Sequence, residues 1–155
     1  MSTPHPQWTI RDAVPADAAR IAAFNQALAH ETEDKQLPLE IVLPGVERGL
    51  QRPQYCRYFV AEVGETVIGQ TMITYEWSDW RDGLLWWIQS VYVEQAWRGR
   101  GVFSSLYKHV EGLARAEQDV RGIRLYMEDH NETARRTYLR LGMVDARYSV
   151  FETMF

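Results

Sequence analysis

A single cysteine, Cys56, stands in the whole chain, so no internal disulfide can form and no cysteine-based zinc cluster can be built. Histidine is nearly as scarce, with four in all. His30, His109 and His130 show none of the His-x-x-x-His spacing that holds a metal, and no metal is expected. Long apolar runs are missing: the longest, Leu84-Leu85-Trp86-Trp87-Ile88, is about a quarter of the ~20 residues a helical membrane span needs. Positive charge is not in excess either. Seventeen Lys plus Arg against twenty-one Asp plus Glu leave a formal charge of −4, which argues against non-specific binding to nucleic acid, where affinity comes from clustered cations on phosphate. Residues Met1 to Pro6 lack a basic stretch followed by an apolar one, so no secretory leader is read and a reducing cytoplasm is the expected setting, with no membrane partner.

What is present fits one folded domain spanning residues 1–155. The chain has 155 residues, 46% of them hydrophobic and 25% charged, enough for one core and too few for two. Aromatic residues are the compositional oddity, with six Trp and eight Tyr. Five of the tryptophans, Trp77, Trp80, Trp86, Trp87 and Trp97, fall within twenty-one residues. Core packing accounts for such a cluster, and so does a pocket wall.

Periodicity gives the elements. Residues 8–13 alternate like a short strand, and Pro15 opens a helix with Ile21, Phe24 and Leu28 on one face, running to about Ala29. The polar run 31–36 reads as a loop. Leu39, Val46 and Leu50 mark a second helix that Pro44 is expected to kink or restart. From Arg57 the period is two, giving a hairpin of residues 58–63 and 67–75 about Gly64-Glu65-Thr66, then a long strand over 84–93. A helix follows to about Glu117, then a strand over 123–127, and a helix capped by Asn131 and stopped by Gly142. A last strand is expected over 148–155. This order predicts a mixed α/β (α+β) domain: a mostly antiparallel sheet with one right-handed parallel strand-helix-strand crossover, flanked by helices.

The stretch richest in chemistry is Val91-Tyr92-Val93-Glu94-Gln95-Ala96-Trp97-Arg98-Gly99-Arg100-Gly101-Val102-Phe103-Ser104. A strand ends, a turn interleaves two glycines with two arginines, and a helix begins. The first N–H groups of a helix lack backbone partners and carry the positive end of its dipole, which suits phosphate. Glycine permits close approach, and arginine adds a charge that cannot be titrated away. Taken alone, the glycine pair reads equally well as a tight turn with solvated arginines. The flanking strand and amphipathic helix favour a pyrophosphate site.

Arg98-Gly99-Arg100-Gly101-Val102-Phe103 resembles the acyl-CoA-binding motif of the GNAT superfamily of N-acetyltransferases, Gln/Arg-x-x-Gly-x-Gly/Ala. Residues 131–143, beginning Asn131-Glu132-Thr133-Ala134 and containing Tyr138 and Gly142, are similar to its second signature, Asn-x-x-Ala-x-x-x-Tyr-x-x-x-Gly-Phe. Phe103 departs from the final Gly/Ala, so its ring must turn away from the phosphates or the pyrophosphate path must shift. Met143 replaces the signature Phe. The resemblance implies a single-domain GNAT fold with acetyl-CoA as co-substrate, its pantetheine against Val91, Tyr92 and Val93, its pyrophosphate held from Arg98 to Ser104, and Asn131 on the pantetheine side. A backbone N–H near Ser90 or Val91 would polarise the thioester carbonyl, worth ~3–4 kcal/mol for an aimed donor. Tyr138 falls where the family places the acid that protonates the departing thiolate; apart from the signature, its helix face reads as core.

The implied reaction is acetyl transfer to a primary amine of a small molecule by direct attack, and the amine must first lose a proton. Glu31, Glu33, Glu76 and Glu128 are the candidate bases, with a water relay as another. Glu76 is favoured because Tyr75, Trp77 and Trp80 surround it in sequence, and a carboxylate among rings attracts a cationic amine. Glu31, Tyr75, Trp77 and Trp80 are thus expected on the acceptor side. Two other readings remain: a non-catalytic acyl-CoA sensor or interaction module on the same fold, and dinucleotide binding through Gly99-x-Gly101-x-x-Ser104, which one crossover supports poorly. Exposed strand edges make a homodimer an expectation as well. Cys56 reads as a small buried apolar residue and not a nucleophile.

Overall fold

The computed structural model describes residues 8–155. Residues 1–7, where the absence of a leader is read, lie outside that range. Strand β1 (Thr9–Asp12) leads through a 3-10 turn at Pro15–Asp17 into α1 (Ala18–Glu33), followed by α2 (Leu39–Leu50). Strands β2 (Cys56–Val63), β3 (Thr66–Ser78) and β4 (Gly83–Val93) follow, then α3 (Val102–Ala116), β5 (Val120–Arg124) and α4 (Glu132–Arg140). The five strands form one sheet in the order β1-β2-β3-β4-β5, antiparallel throughout except for the parallel β4–β5 pair. This is the mixed architecture the periodicity predicts.

The strands are inside on both faces, and each face has its own core. On one, α3 lays Leu106 and Val110 against Phe59, Ile68, Ile73 and Trp86. On the other, α1 and α2 bring Ile21, Phe24 and Val46 onto Tyr58 and Val60. Cys56 is buried in this second core, with its thiol pushed up in pKa by burial, as expected of a packed side chain. The entry to α1 is fixed electrostatically: Asp17 accepts the Val14 N–H at 2.7 Å and two N–H groups of the Arg11 guanidinium at 2.8 and 3.0 Å, while Arg11 also pairs with Glu62.

Several boundaries differ from those read by periodicity. Helix α1 runs on through Glu33, because nothing breaks it until Asp34 adopts φ 51°. Helix α2 passes through Pro44 without stopping, so the missing N–H costs one helical bond and no break. Strand β5 ends at Arg124 and not at Met127: it pairs with β4 only as far as Trp87 and Arg124, beyond which the strands part. The strand expected over 148–155 joins no ladder: Phe151, Met154 and Phe155 stand exposed, so the segment lays no apolar face on the sheet that would hold it there.

Candidate active site

The parting of β4 and β5 creates the site. Beyond their last pair, residues Ile88 to Val93 form one wall of an open cleft and Leu125 to Glu128 the other, while the start of α3 and the inner face of α4 close its ends. Its volume is about 1280 Å³, more than the ~300–1,000 Å³ of an ordinary small-ligand pocket.

At this point β4 carries a bulge. Gln70 pairs with Tyr92 and Met72 with Gln89, so Ser90 and Val91 together oppose Thr71. Ser90 takes φ 52°, a left-handed backbone that serine rarely adopts. Its carbonyl is held by the amide of Gln70, whose Nε2 donates to Ser90 O at 3.1 Å and to Asn25 Oδ1 at 2.8 Å. Gln70 is wholly buried, and its Oε1 has no partner. Sequence reading missed Gln70 and Asn25. The available signal was an amide in the middle of a strand that should be apolar on both faces.

At the other end of the cleft wall, β4 turns into α3. Gly99 and Gly101 both have positive φ, 74° and 94°, and no atom lies within 4 Å of where a Cβ would stand on either. The turn therefore faces open space. Among the described residues, no hydrogen bond engages the N–H groups from Gly99 to Ser104; the first α3 amide that is paired is Ser105 N–H, to Gly101 O at 3.0 Å. Unpaired amides and the positive dipole end of a fifteen-residue helix thus point into the cleft mouth.

Arg98 does not extend into this cradle. Its guanidinium pairs with Glu31 at 2.9 Å, lies 5.2 Å from the Tyr92 ring centre, and donates from Nε to Val93 O at 2.9 Å, tying α1 to the end of β4. Arg100 lies over Trp97, 5.1 Å from the ring centre, and is not a cleft-wall residue. Phe103 turns along the cleft floor, edge-on to Tyr138 with ring centres 5.7 Å apart. Asn131 caps α4, its Oδ1 accepting the Ala134 N–H at 3.1 Å. Tyr138 follows about two turns on and lines the cleft. Burial raises the Tyr138 phenol above its ordinary pKa.

A match to the family model described as Acetyltransferase (GNAT) family spans residues 21–143, taking in cleft, cradle and Tyr138 together. The chain belongs to this family. A solved structure of a possible acetyltransferase from Clostridium difficile 630 is 38% identical, with a TM-score of 0.88 over 97% of this chain and 99% of that one. Two others share the GNAT fold at lower identity. The ribosomal-protein-alanine N-acetyltransferase of Brucella melitensis biovar Abortus 2308 is 18% identical (TM-score 0.76; 96% and 99% covered). A predicted acetyltransferase with acetyl-CoA from Clostridium acetobutylicum is 16% identical (TM-score 0.76; 94% and 96% covered). A comparison with curated proteins finds no match.

Within the GNAT cleft the structure brings together Val91, Tyr92, Val93, Arg98, Gly99, Gly101, Val102, Phe103, Ser104, Asn131, Glu31, Glu128 and Tyr138. It leaves Arg100, Glu76, Tyr75, Trp77 and Trp80 outside. The expected box of rings around Glu76 is not formed, for a reason of strand alternation. Tyr75 packs edge-on to Trp86 in the α3-side core, Glu76 faces the opposite side, and its Oε2 accepts from Arg124 at 2.9 Å. Trp77 and Trp80 stand exposed at the β3–β4 turn. The carboxylates on the cleft wall are Glu31, Glu33 and Glu128. No helix among the described residues is long and apolar enough to cross a membrane.

Proposed function

We propose that this GNAT acyltransferase moves the acetyl group of acetyl-CoA to a primary amine of a small molecule or peptide by direct attack in a ternary complex. One observation carries the reading: the unpaired amides of Gly99 to Ser104 open into the same cleft that exposes the free edge of β4 and the Tyr138 side chain. The residues suit the co-substrate. Open space at both glycines leaves room for a diphosphate against the backbone, and a β4 edge released from β5 can pair with the amides of an extended pantetheine arm. Bound acetyl-CoA would supply a thioester, an acyl group already activated toward amines.

The protein's own groups do the rest. The amides of residues 99–104 and the α3 dipole hold negative charge at the cleft mouth. Arg98 can join them cheaply: an ion pair with both partners this exposed is worth ~0–1 kcal/mol, less than the ~1.5–3 kcal/mol of a charge-assisted bond to phosphate. The Ser90–Val91 bulge breaks the β4 ladder, leaving a backbone donor for the carbonyl oxygen. Tyr138 stays protonated because burial raises its phenol, which keeps a donor ready for the leaving sulfur. Glu31, Glu33 and Glu128 give the acceptor end a negative lining that draws in an ammonium and passes its proton to water.

Calorimetric binding of CoA and thiol release across a panel of primary amines test this reading. Expected are CoA binding and turnover on at least one amine, with the acetylated product identified by mass. CoA binding with no turnover on any amine would favour the sensor, and thermal stabilisation by NAD but not CoA would remove the transferase.

A further inference from the structure

A backbone carbonyl can only accept hydrogen bonds, and one such carbonyl sets the direction of two side-chain amides at this cleft. Ser90 O faces the Gln70 amide, so the Gln70 nitrogen must turn toward it, at 3.1 Å. The same nitrogen reaches Asn25 at 2.8 Å, so Asn25 must present its oxygen there. Its NH2 group is thereby turned away from Gln70. Gln70 is wholly buried, so solvent does not compete for these bonds, and reversing either amide would set like against like.

Asn25 lies on α1, half-buried, and lines the cleft. Among the described residues no group accepts from its nitrogen, and Gln70 Oε1 is the only buried side-chain polar atom without a partner, so the Asn25 NH2 stands open to the cleft. It lies beside the Ser90–Val91 bulge, since Asn25 and Ser90 share one Gln70 nitrogen.

The surroundings say what such a donor meets. The wall that carries Asn25 also carries Leu28, one turn on, with Val42 and Val46 of α2. Gly45 lines the same wall, and no atom lies within 4 Å of where its Cβ would stand. Glycine is a poor choice for a helix interior, and here it leaves room for an apolar group. Glu31, Glu33 and Glu128 make the cleft negative. That lining opposes a carboxylate and leaves a neutral carbonyl oxygen as the fitting partner for the NH2.

We propose that Asn25 is a specificity-determining residue: its NH2 hydrogen-bonds a neutral carbonyl oxygen of the acceptor, next to the reacting amine, while an apolar group of the acceptor fills the space at Gly45. The acceptor class is then an amine with an adjacent carboxamide or peptide carbonyl, preferred over a plain alkylamine and over a free amino acid. The inference rests on acyl transfer to an amine in this cleft and names the acceptor chemistry that reading leaves open.

Leucinamide and isoamylamine differ by the carboxamide alone, and calorimetric titration of the CoA-loaded protein with each, at mildly acidic pH where both are ammonium ions, tests the proposal. Asn25→Asp keeps an oxygen for the Gln70 nitrogen and puts a second oxygen where the NH2 stood, inverting the group that faces the cleft. The Kd of leucinamide relative to that of isoamylamine should rise about three- to tenfold in this variant, the effect of one lost neutral hydrogen bond. Taking the ratio cancels the attraction of the new carboxylate for either ammonium. In the parent protein the Asn25 side-chain NH2 resonance should move with leucinamide and stay with isoamylamine, which decides the matter where Asn25→Asp folds poorly. A ratio unchanged within about twofold overturns the proposal, and equal weakening of both amines would assign Asn25 to the thioester instead. An NH2 resonance indifferent to leucinamide overturns it too, as does the absence of saturable leucinamide binding below about 10 mM. Failure of the acyl-transfer reading shows elsewhere, as no CoA binding or no turnover on any amine, and removes this inference with it.

Discussion

Replacing Gly101 by valine separates the cost to the fold from the cost to the ligand. Gly101 sits at φ 94°, ψ 14° at the start of α3, a conformation that opposes a β-branched side chain even though no neighbour would touch the added carbon. The strain is ~1–2 kcal/mol, which in a domain of this size lowers the melting temperature by roughly 2–8 °C. If valine instead pulls φ negative, the amides that follow turn away from the cleft mouth. Each charge-assisted bond lost is worth ~1.5–3 kcal/mol, so losing even one raises the Kd for CoA by about ten- to a hundredfold, and two losses multiply. Calorimetric titration with CoA gives the second number, and a thermal melt of the ligand-free protein gives the first. CoA affinity within about threefold of the parent, alongside the expected drop in melting temperature, would refute the assignment of these amides to the ligand.

Tyr138→Phe should lower kcat at least tenfold with little change in KM, because the ring packing against Phe103 survives and only the proton donor is lost; steady-state kinetics with the preferred amine decide this. Gln70→Leu should destabilise the fold by about 1–3 kcal/mol in a chemical melt, since it strips a buried donor from both Ser90 O and Asn25 Oδ1, and it should lower kcat by loosening the bulge. Stability should also fall with acidity. Burial alone would raise the Asp17 pKa, but the Arg11 guanidinium and the Val14 N–H more than offset it and hold the carboxyl below its ordinary value. The stabilisation is therefore fully present above about pH 4, the unfolded value, and is lost as pH falls through the lower folded value; Asp17→Asn should flatten the stability profile in that acid window.

The elements were legible wherever a local period fixed them. Hydrophobic spacing of three and four placed α3 and α4, the alternation from Tyr58 to Tyr75 placed the hairpin, and Asn131 with Gly142 bounded the last helix, because a cap bond and a left-handed stop are decided within a few residues. The glycine turn between β4 and α3 was legible for the same reason: Gly99 and Gly101, the residues that need positive φ, stand within one short stretch. What periodicity could not reach were bonds across the sheet. The bulge at Ser90 depends on Gln70, twenty positions away, and the posture of Arg98 depends on Glu31, sixty-seven positions away.

Glu76 illustrates the general limit. In sequence it stands between Tyr75 and Trp77, and adjacency suggests one cluster. In a strand, however, neighbours point to opposite faces, so side chains adjacent in sequence at a strand end are held apart in space. Tyr75 goes to the α3-side core, and the carboxylate goes to Arg124 on β5. The acids that do share the cleft, Glu31, Glu33 and Glu128, come from the end of α1 and from the segment after β5, which leaves β4 beyond the Trp87–Arg124 pair, just before the Ser90–Val91 bulge. Under the proposed acyl transfer the cofactor would lie along the β4 wall that carries the bulge, so a substitution that relaxes the bulge should weaken CoA binding as well as turnover.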